Sequence, residues 1–247
     1  MSTLVVTGGS RGIGAAVCRS AARAGWDVVV AYRARADDAD DVVAGIKALG
    51  GHALAVQADV AEAADVERLF AVAASWRSPV TGLVNNAGIS GGFARVDEVS
   101  AATLREVLDV NVAGPFLCAG AAVRAMSTAH GGAGGAIVNV SSRAAVLGSP
   151  GEWVHYAASK GAVDAFTIGL AKEVAPQGIR VNAVRPGLID TEIHASGGRP
   201  DRVAQLAHQI PLGRGGTVGE VAEAIVWLLS DKASYTTMSL LDVSGAR

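Results

Sequence analysis

The chain has 247 residues, half of them hydrophobic and 18% charged, with a net charge of −2. That length holds one well-buried α/β domain rather than two, and the composition excludes extensive disorder. The near-neutral charge without a basic stripe excludes duplex nucleic acid as an expected partner; no apolar run reaching the roughly 18 residues of a bilayer span and no basic leader are seen, so a cytoplasmic setting without membrane is expected.

Short β-branched runs alternate with helical stretches. Strands are expected over 3–7, 27–31, 53–57, 80–85, 135–140, 179–184 and 238–243, and helices over 12–24, 37–49, 62–76, 101–127, 155–175 and 219–230. The strands are near-continuous apolar runs, as in sheets covered on both faces. Strand–helix alternation then implies right-handed crossovers: a doubly wound, seven-stranded parallel sheet of the Rossmann-like α/β class, in a single domain over 1–247. Cys18 and Cys118 fall in apolar helical patterns and read as buried reduced thiols, which suits the cytosol.

The first strand runs into TGGSRGIG at 7–14. Gly8, Gly12 and Gly14 leave no Cβ between a pyrophosphate and the N–H groups that open the first helix. At the end of the second strand, Tyr32 stands where an acid that holds a ribose 2′-OH is expected, and Arg33 follows. With Arg11 in the glycine loop, two guanidiniums favour a 2′-phosphate, so NADP(H) is expected over NAD(H), which stays possible. Asp59 ends the third strand and can accept from an adenine amino group, cap the next helix, or do both. NNAG (85–88) ends the fourth strand with small and amide residues suited to a close backbone approach.

In the helix over 101–127, Asn111 is a polar amide in apolar surroundings, which needs a partner: backbone, or Lys160 through a water. The fifth strand ends in Ser141 and Ser142; the second lies farther past the strand and is chosen to hydrogen-bond a reacting oxygen. In HYAASKGA (155–162), Tyr156 and Lys160 are one helical turn apart on one face. An ammonium there is expected to lower the phenol pKa and make it a proton donor or acceptor for a carbonyl or alcohol oxygen. Residues 186–217 break the rhythm with a long segment read as a substrate lid, carrying a short helix near 201–209. Trp153 and Glu152 are weaker candidates for the pocket wall. His52, His130, His155, His194 and His208 have no metal-ligand spacing and read as surface or loop residues, with His194 in the lid able to meet substrate. The helices over 155–175 and 101–127 are apolar nearly all round, so one face of each should meet a partner copy.

Taken together, Thr7-Gly8, Gly12-Ile13-Gly14, Asp59, Asn85-Asn86-Ala87-Gly88, Asn111, Ser142, Tyr156 with Lys160, and Pro186-Gly187 with Thr191 resemble a short-chain dehydrogenase/reductase nearly end to end. The resemblance implies a nicotinamide-dependent oxidoreductase that interconverts a carbonyl and a secondary alcohol without a metal. Tyr156 would be the general acid/base, Ser142 would polarise the substrate oxygen, Lys160 would tune the tyrosine and hold the ribose, and Asn111 would support a proton relay. The implied cofactor contacts are Gly8, Ser10, Arg11, Gly12, Ile13, Gly14, Tyr32, Arg33, Asp59, Val60, Asn86, Ala87, Gly88, Tyr156 and Lys160. They continue with Pro186, Gly187, Ile189 and Thr191, which would bracket the nicotinamide carboxamide. A homotetramer is usual for such proteins. The chain departs from many relatives at Met238, where they carry Gly; a bulky side chain is expected there at the start of the last strand. The competing readings are a non-catalytic NADP(H)-binding sensor or scaffold, for which an intact Ser–Tyr–Lys set is unneeded, and a nucleotide-sugar epimerase or dehydratase, which usually has an additional substrate domain.

Overall fold

Every residue of β1 (Thr3–Thr7) is buried, because helices cover the sheet on both faces. A computed structural model describes residues 2–192, 198–199 and 201–247. The chain continues through α1 (Gly12–Arg23), β2 (Asp27–Tyr32), α2 (Ala36–Ala48), β3 (Ala53–Gln57), α3 (Ala63–Trp76) and β4 (Val80–Asn85). Then come α4 (Ala101–Leu108), a π-helical turn (Asp109–Ala113), α5 (Gly114–Met126), β5 (Gly135–Val140), α6 (Ala144–Leu147), α7 (Val154–Val174) and β6 (Ile179–Pro186). The described part closes with α8 (Arg202–Leu206), α9 (Val218–Leu229) and β7 (Leu240–Val243).

The seven strands form one parallel sheet in the order β3-β2-β1-β4-β5-β6-β7. This is the expected Rossmann-like architecture in one domain. Val6, Val30, Val138 and Val184 pack on one face with α1, α2 and α9; Val5, Leu83, Ile137 and Val181 pack on the other with α3, α5 and α7. Burying each such side chain contributes about 1.5–3 kcal/mol. The chain winds outward in both directions from the gap between β1 and β4, which places a switch point, and hence a crevice, at their carboxyl ends.

Three expectations are corrected. The helix over 101–127 is interrupted by the π-helical turn at Asp109–Ala113. Pro115 follows, and it has no N–H to donate to the carbonyl of Asn111 four residues back, so the helical ladder must change register there. The same stretch, Ala101–Met126, is long and apolar enough to suit a bilayer, contrary to the sequence reading; half of it is buried within the fold, as in a core helix. Met238 precedes β7 rather than opening it, and its backbone is left-handed at φ 64°. A glycine takes that conformation freely, whereas a methionine costs about 1 kcal/mol or more.

Candidate active site

The loops leaving the carboxyl ends of β1, β2, β3, β4, β5 and β6 open into one cavity of about 1140 Å³. It is built around a tie between β1 and β4. Thr7 Oγ1 accepts from the N–H groups of Asn86 and Ala87 at 3.0 and 3.1 Å and donates to the Val84 carbonyl. Asn86 Nδ2 donates to the carbonyls of Thr7 and Gly8 at 2.9 and 3.0 Å. The glycine loop is thereby folded back on itself: a Cβ on Gly14 would lie 2.2 Å from the Gly8 oxygen and 2.5 Å from Asn86 Nδ2. Gly14 does not line the cavity, so it shapes the loop from behind.

Gly8, Ser10, Arg11, Gly12 and Ile13 do line it. Gly12 has φ 54°, and a Cβ there would find only Thr191 Cγ2, at 3.9 Å. No described side chain caps the N-terminus of α1, which leaves its first-turn N–H groups to an anion. This glycine cradle fits a dinucleotide pyrophosphate.

Tyr32, Arg33, Asp59 and Val60 form the wall at the end expected to take the ribose, and Arg35, which the sequence equally allowed to be a solvated surface charge, lines it too. The arginines there lie among carboxylates: Arg11 pairs with Glu192, Arg35 with Asp38 at 3.1 Å and Glu192 at 4.0 Å, and Arg33 with Asp59 at 3.8 Å. Asp59 Oδ1 accepts from the Ala61 N–H, whereas the N-cap of α3 is Glu62. Asp59 therefore ties its own turn instead of capping the helix.

At the other end, Ser142, Tyr156, Lys160 and the stretch Pro186, Gly187, Ile189 and Thr191 line the same cavity, together with Asn86, Ala87 and Gly88. The two serines separate cleanly. Ser141 is buried and donates to the Lys160 carbonyl at 3.2 Å, while Ser142 faces the cavity, accepts from the Ala144 N–H at 3.1 Å and draws the Tyr156 pKa down. Lys160 Nζ donates to the Val140 carbonyl at 2.7 Å and lies 5.7 Å from the centroid of the Tyr156 ring. Burial pushes the Lys160 pKa down to about 8, opposed by the charge of Asp164. Burial also holds the Tyr156 phenol above its ordinary value, against the pull of Ser142. That differs from the expected lowering: in this pocket desolvation outweighs the opposing influence of Ser142.

Asn111 does not line the cavity. Its Oδ1 accepts from the Ile89 N–H at 2.9 Å, and its Nδ2 donates to the Ile89 carbonyl and to Ser159 Oγ at 2.8 and 3.0 Å. A Cβ on Gly88 would sit 3.2 Å from Asn111 Oδ1 and 3.5 Å from Lys160 Nζ, so amide and ammonium flank one glycine.

Several residues at this end escaped the sequence reading. His155, expected at the surface, is buried, with Nε2 2.9 Å from the Ser90 carbonyl. Arg202 of α8 is buried; its two terminal nitrogens donate to one oxygen of Glu152 at 2.8 and 2.7 Å, and its guanidinium covers the Trp153 ring at 4.8 Å. Trp153 in turn meets the Tyr156 ring edge-on at 5.9 Å. Glu152 and Trp153 thus do line the cavity, together with Arg143 and Leu206. No local pattern marks Arg202, whose partner lies 50 residues away in sequence. His194 lies outside the described residues.

A family model described as "Enoyl-(Acyl carrier protein) reductase" matches residues 8–245. The chain is 51% identical over 247 residues to the "Uncharacterized oxidoreductase YgfF" of Escherichia coli, covering the whole of both chains. It superposes with a TM-score of 0.91 and 33% identity on a dehydrogenase/reductase from Sinorhizobium meliloti, covering 99% of this chain and 94% of that one. A similar match, with a TM-score of 0.90, 34% identity and coverage of 99% and 97%, is to a blue fluorescent protein from a metagenomic library in complex with NADPH.

Proposed function

The chain belongs to the short-chain dehydrogenase/reductase family of oxidoreductases, and from that premise we propose that it reduces a carbonyl to a secondary alcohol, or runs the reverse, with NADP(H) and Tyr156 as general acid/base. One observation carries this reading: a buried phenol that shares its cavity wall with Ser142 and has the Lys160 ammonium 5.7 Å from its ring stands in the same cavity as the glycine cradle.

A nicotinamide held by Lys160 and by Pro186, Gly187, Ile189 and Thr191 would supply or take the hydride. Tyr156 does the proton chemistry. Because burial raises its pKa, the phenol keeps its proton at neutral pH and is ready to give it to a carbonyl oxygen as charge develops there. Three features stabilise the phenolate that remains: the Ser142 hydroxyl, the Lys160 ammonium, and the N-terminus of α7, in whose first turn Tyr156 sits. Ser142 also donates to the reacting oxygen and fixes its place. Lys160 spends one donor on Val140 and has two more for a ribose hydroxyl and the proton path. Asn111 supports that path from behind by fixing Ile89 and, with Lys160, flanking Gly88. A scaffold without turnover would have no use for a buried ammonium, whose desolvation is costly.

NADP(H) preference rests on Arg11, Arg33 and Arg35 at the ribose end, and NAD(H) remains a possible second cofactor. Asp59 and Val60 would receive the adenine. Residues 186–217 are proposed as the lid of the substrate end, where Arg202, Leu206 and Gln209 contribute wall. A homotetramer is supported by exposed Leu104, Leu108 and Phe116 on α4 and α5, with Phe116 stacked on Phe166 of α7 at 3.8 Å.

Stopped-flow NADPH oxidation against ketones, aldehydes and 3-oxoacyl thioesters tests the activity. Tyr156→Phe is expected to cost at least about 100-fold in kcat while NADPH binding stays near normal. Wild-type kcat in that variant would remove Tyr156 from the chemistry. A stable monomer by light scattering at micromolar concentration would remove the tetramer.

A further inference from the structure

Tyr156, Lys160 and Asp164 are spaced four residues apart along α7, on one face, and all three are buried, at 9%, 5% and 7% exposure. The first two have roles in the reaction proposed above. The third is a carboxylate in the interior, where a charge needs a reason. Arg185 of β6 holds it: Nε and Nη2 both approach Asp164 Oδ2 at 2.9 Å. Asp164 Oδ1 has no hydrogen-bond partner among the described residues. Arg185 in turn faces Asp242 of β7 at 3.8 Å, and Asp242 binds Arg143, the neighbour of Ser142, at 2.7 Å.

The pair is therefore polarised. Its negative end lies one helical turn from Lys160, and its positive end is drawn toward Asp242. Other charged groups stand on elements packed against α7: Arg105 and Glu106 on α4, Asp109 in the π-helical turn, Arg143 before α6, and Arg180 on β6. α7 itself carries His155, Lys172 and Glu173. The charge that bears on Lys160 is that of Asp164.

We propose that Asp164, clamped by Arg185, is a positioning residue that keeps Lys160 an ammonium over the pH range in which Tyr156 exchanges its proton. The inference rests on the proposed roles of Tyr156 and Lys160, yet its electrostatic content can be read without turnover. The whole chain has four lysines, Lys47, Lys160, Lys172 and Lys232, so [ε-13C]lysine spectra of the full-length protein resolve Lys160, assigned by its loss in Lys160→Met.

Asp164→Asn keeps the shape and removes the charge. The Lys160 titration midpoint is expected to fall by on the order of one pH unit, the effect of a unit charge about one turn away. Arg185→Gln removes the clamp and leaves the carboxylate, so the midpoint is expected to rise. A merely structural pair would move both variants in the same direction or neither. An unmoved midpoint in Asp164→Asn, or shifts of one sign in both, overturns the proposal. If Asp164→Asn does not fold, Arg185→Gln decides: a rise supports the proposal, and a fall or no change overturns it. The alkaline limb of the kcat profile should follow the same displacement. Opposite midpoint shifts in a protein that turns over no substrate would instead defeat the enzymatic reading and leave the Asp164–Lys160 coupling standing.

Discussion

The arginines at the two ends of the cavity are of different kinds. Arg11, Arg33 and Arg35 have side chains 42–54% exposed and divide their charge among Glu192, Asp59 and Asp38. Arg202 and Arg185 have side chains only 7% and 16% exposed, and each holds a carboxylate closely, Glu152 at 2.7 Å or Asp164 at 2.9 Å, with Asp242 farther from Arg185 at 3.8 Å. Exposed pairs contribute about 0–1 kcal/mol and exchange partners cheaply, so a ligand phosphate can replace a carboxylate. Buried pairs cannot exchange, because a bare charge would remain behind. The first group is suited to recognition and the second to holding walls in place.

The strongest way to break this contrast is Arg202→Met. It strands Glu152, and stability should fall by about 3 kcal/mol, seen as a lower denaturation midpoint with NADPH affinity little changed. A loss below about 1 kcal/mol would put Arg202 with the exposed group. Lys160 supplies a third case, a buried cation with no direct carboxylate contact. Its folded pKa of about 8 lies below the ordinary 10.5, so the unfolded chain binds the extra proton between those values. Stability is therefore depressed at neutral pH and recovers as pH rises from about 8 to 10.5, by up to about 3 kcal/mol. Lys160→Met should lose that recovery, and unfolding titrations at pH 7 and 10 compare the two proteins.

Smaller effects sharpen the other side. Arg33→Ala should weaken NADPH binding about tenfold, leave NADH binding unchanged, and alter stability by less than about 0.5 kcal/mol. Fluorescence titration with both cofactors checks it. Glu192→Gln releases Arg11 and Arg35 from a competing carboxylate and should tighten NADPH binding by about two- to fivefold at low salt, with the gain fading as salt rises.

How much of this was legible depended on the range of the interaction. Continuous apolar runs announced all seven parallel strands, because burial on both faces leaves a local mark. The glycine loop, Tyr156, Lys160 and Ser142 were legible for the same reason: each is a short pattern at an element's end. The π-helical turn was hidden, since it arises from Pro115 acting on the preceding turn and from Asn111 reaching across to Ile89. Asp164 with Arg185, Glu152 with Arg202, and His155 with the Ser90 carbonyl pair residues 21, 50 and 65 positions apart, which no periodicity records. The direction of the Tyr156 shift was misjudged because a sequence shows the neighbouring charge but not the depth of burial.

Thr7 and Asn86 join strands from opposite halves of the sheet through five hydrogen bonds beneath the glycine loop. None of these five bonds uses a residue from beyond Ala87, so a platform for dinucleotide phosphates there would not depend on the segments proposed to surround the substrate. Descendants of such a chain could rewrite the outer segments and acquire new preferences, while the anchorage of the dinucleotide is inherited intact.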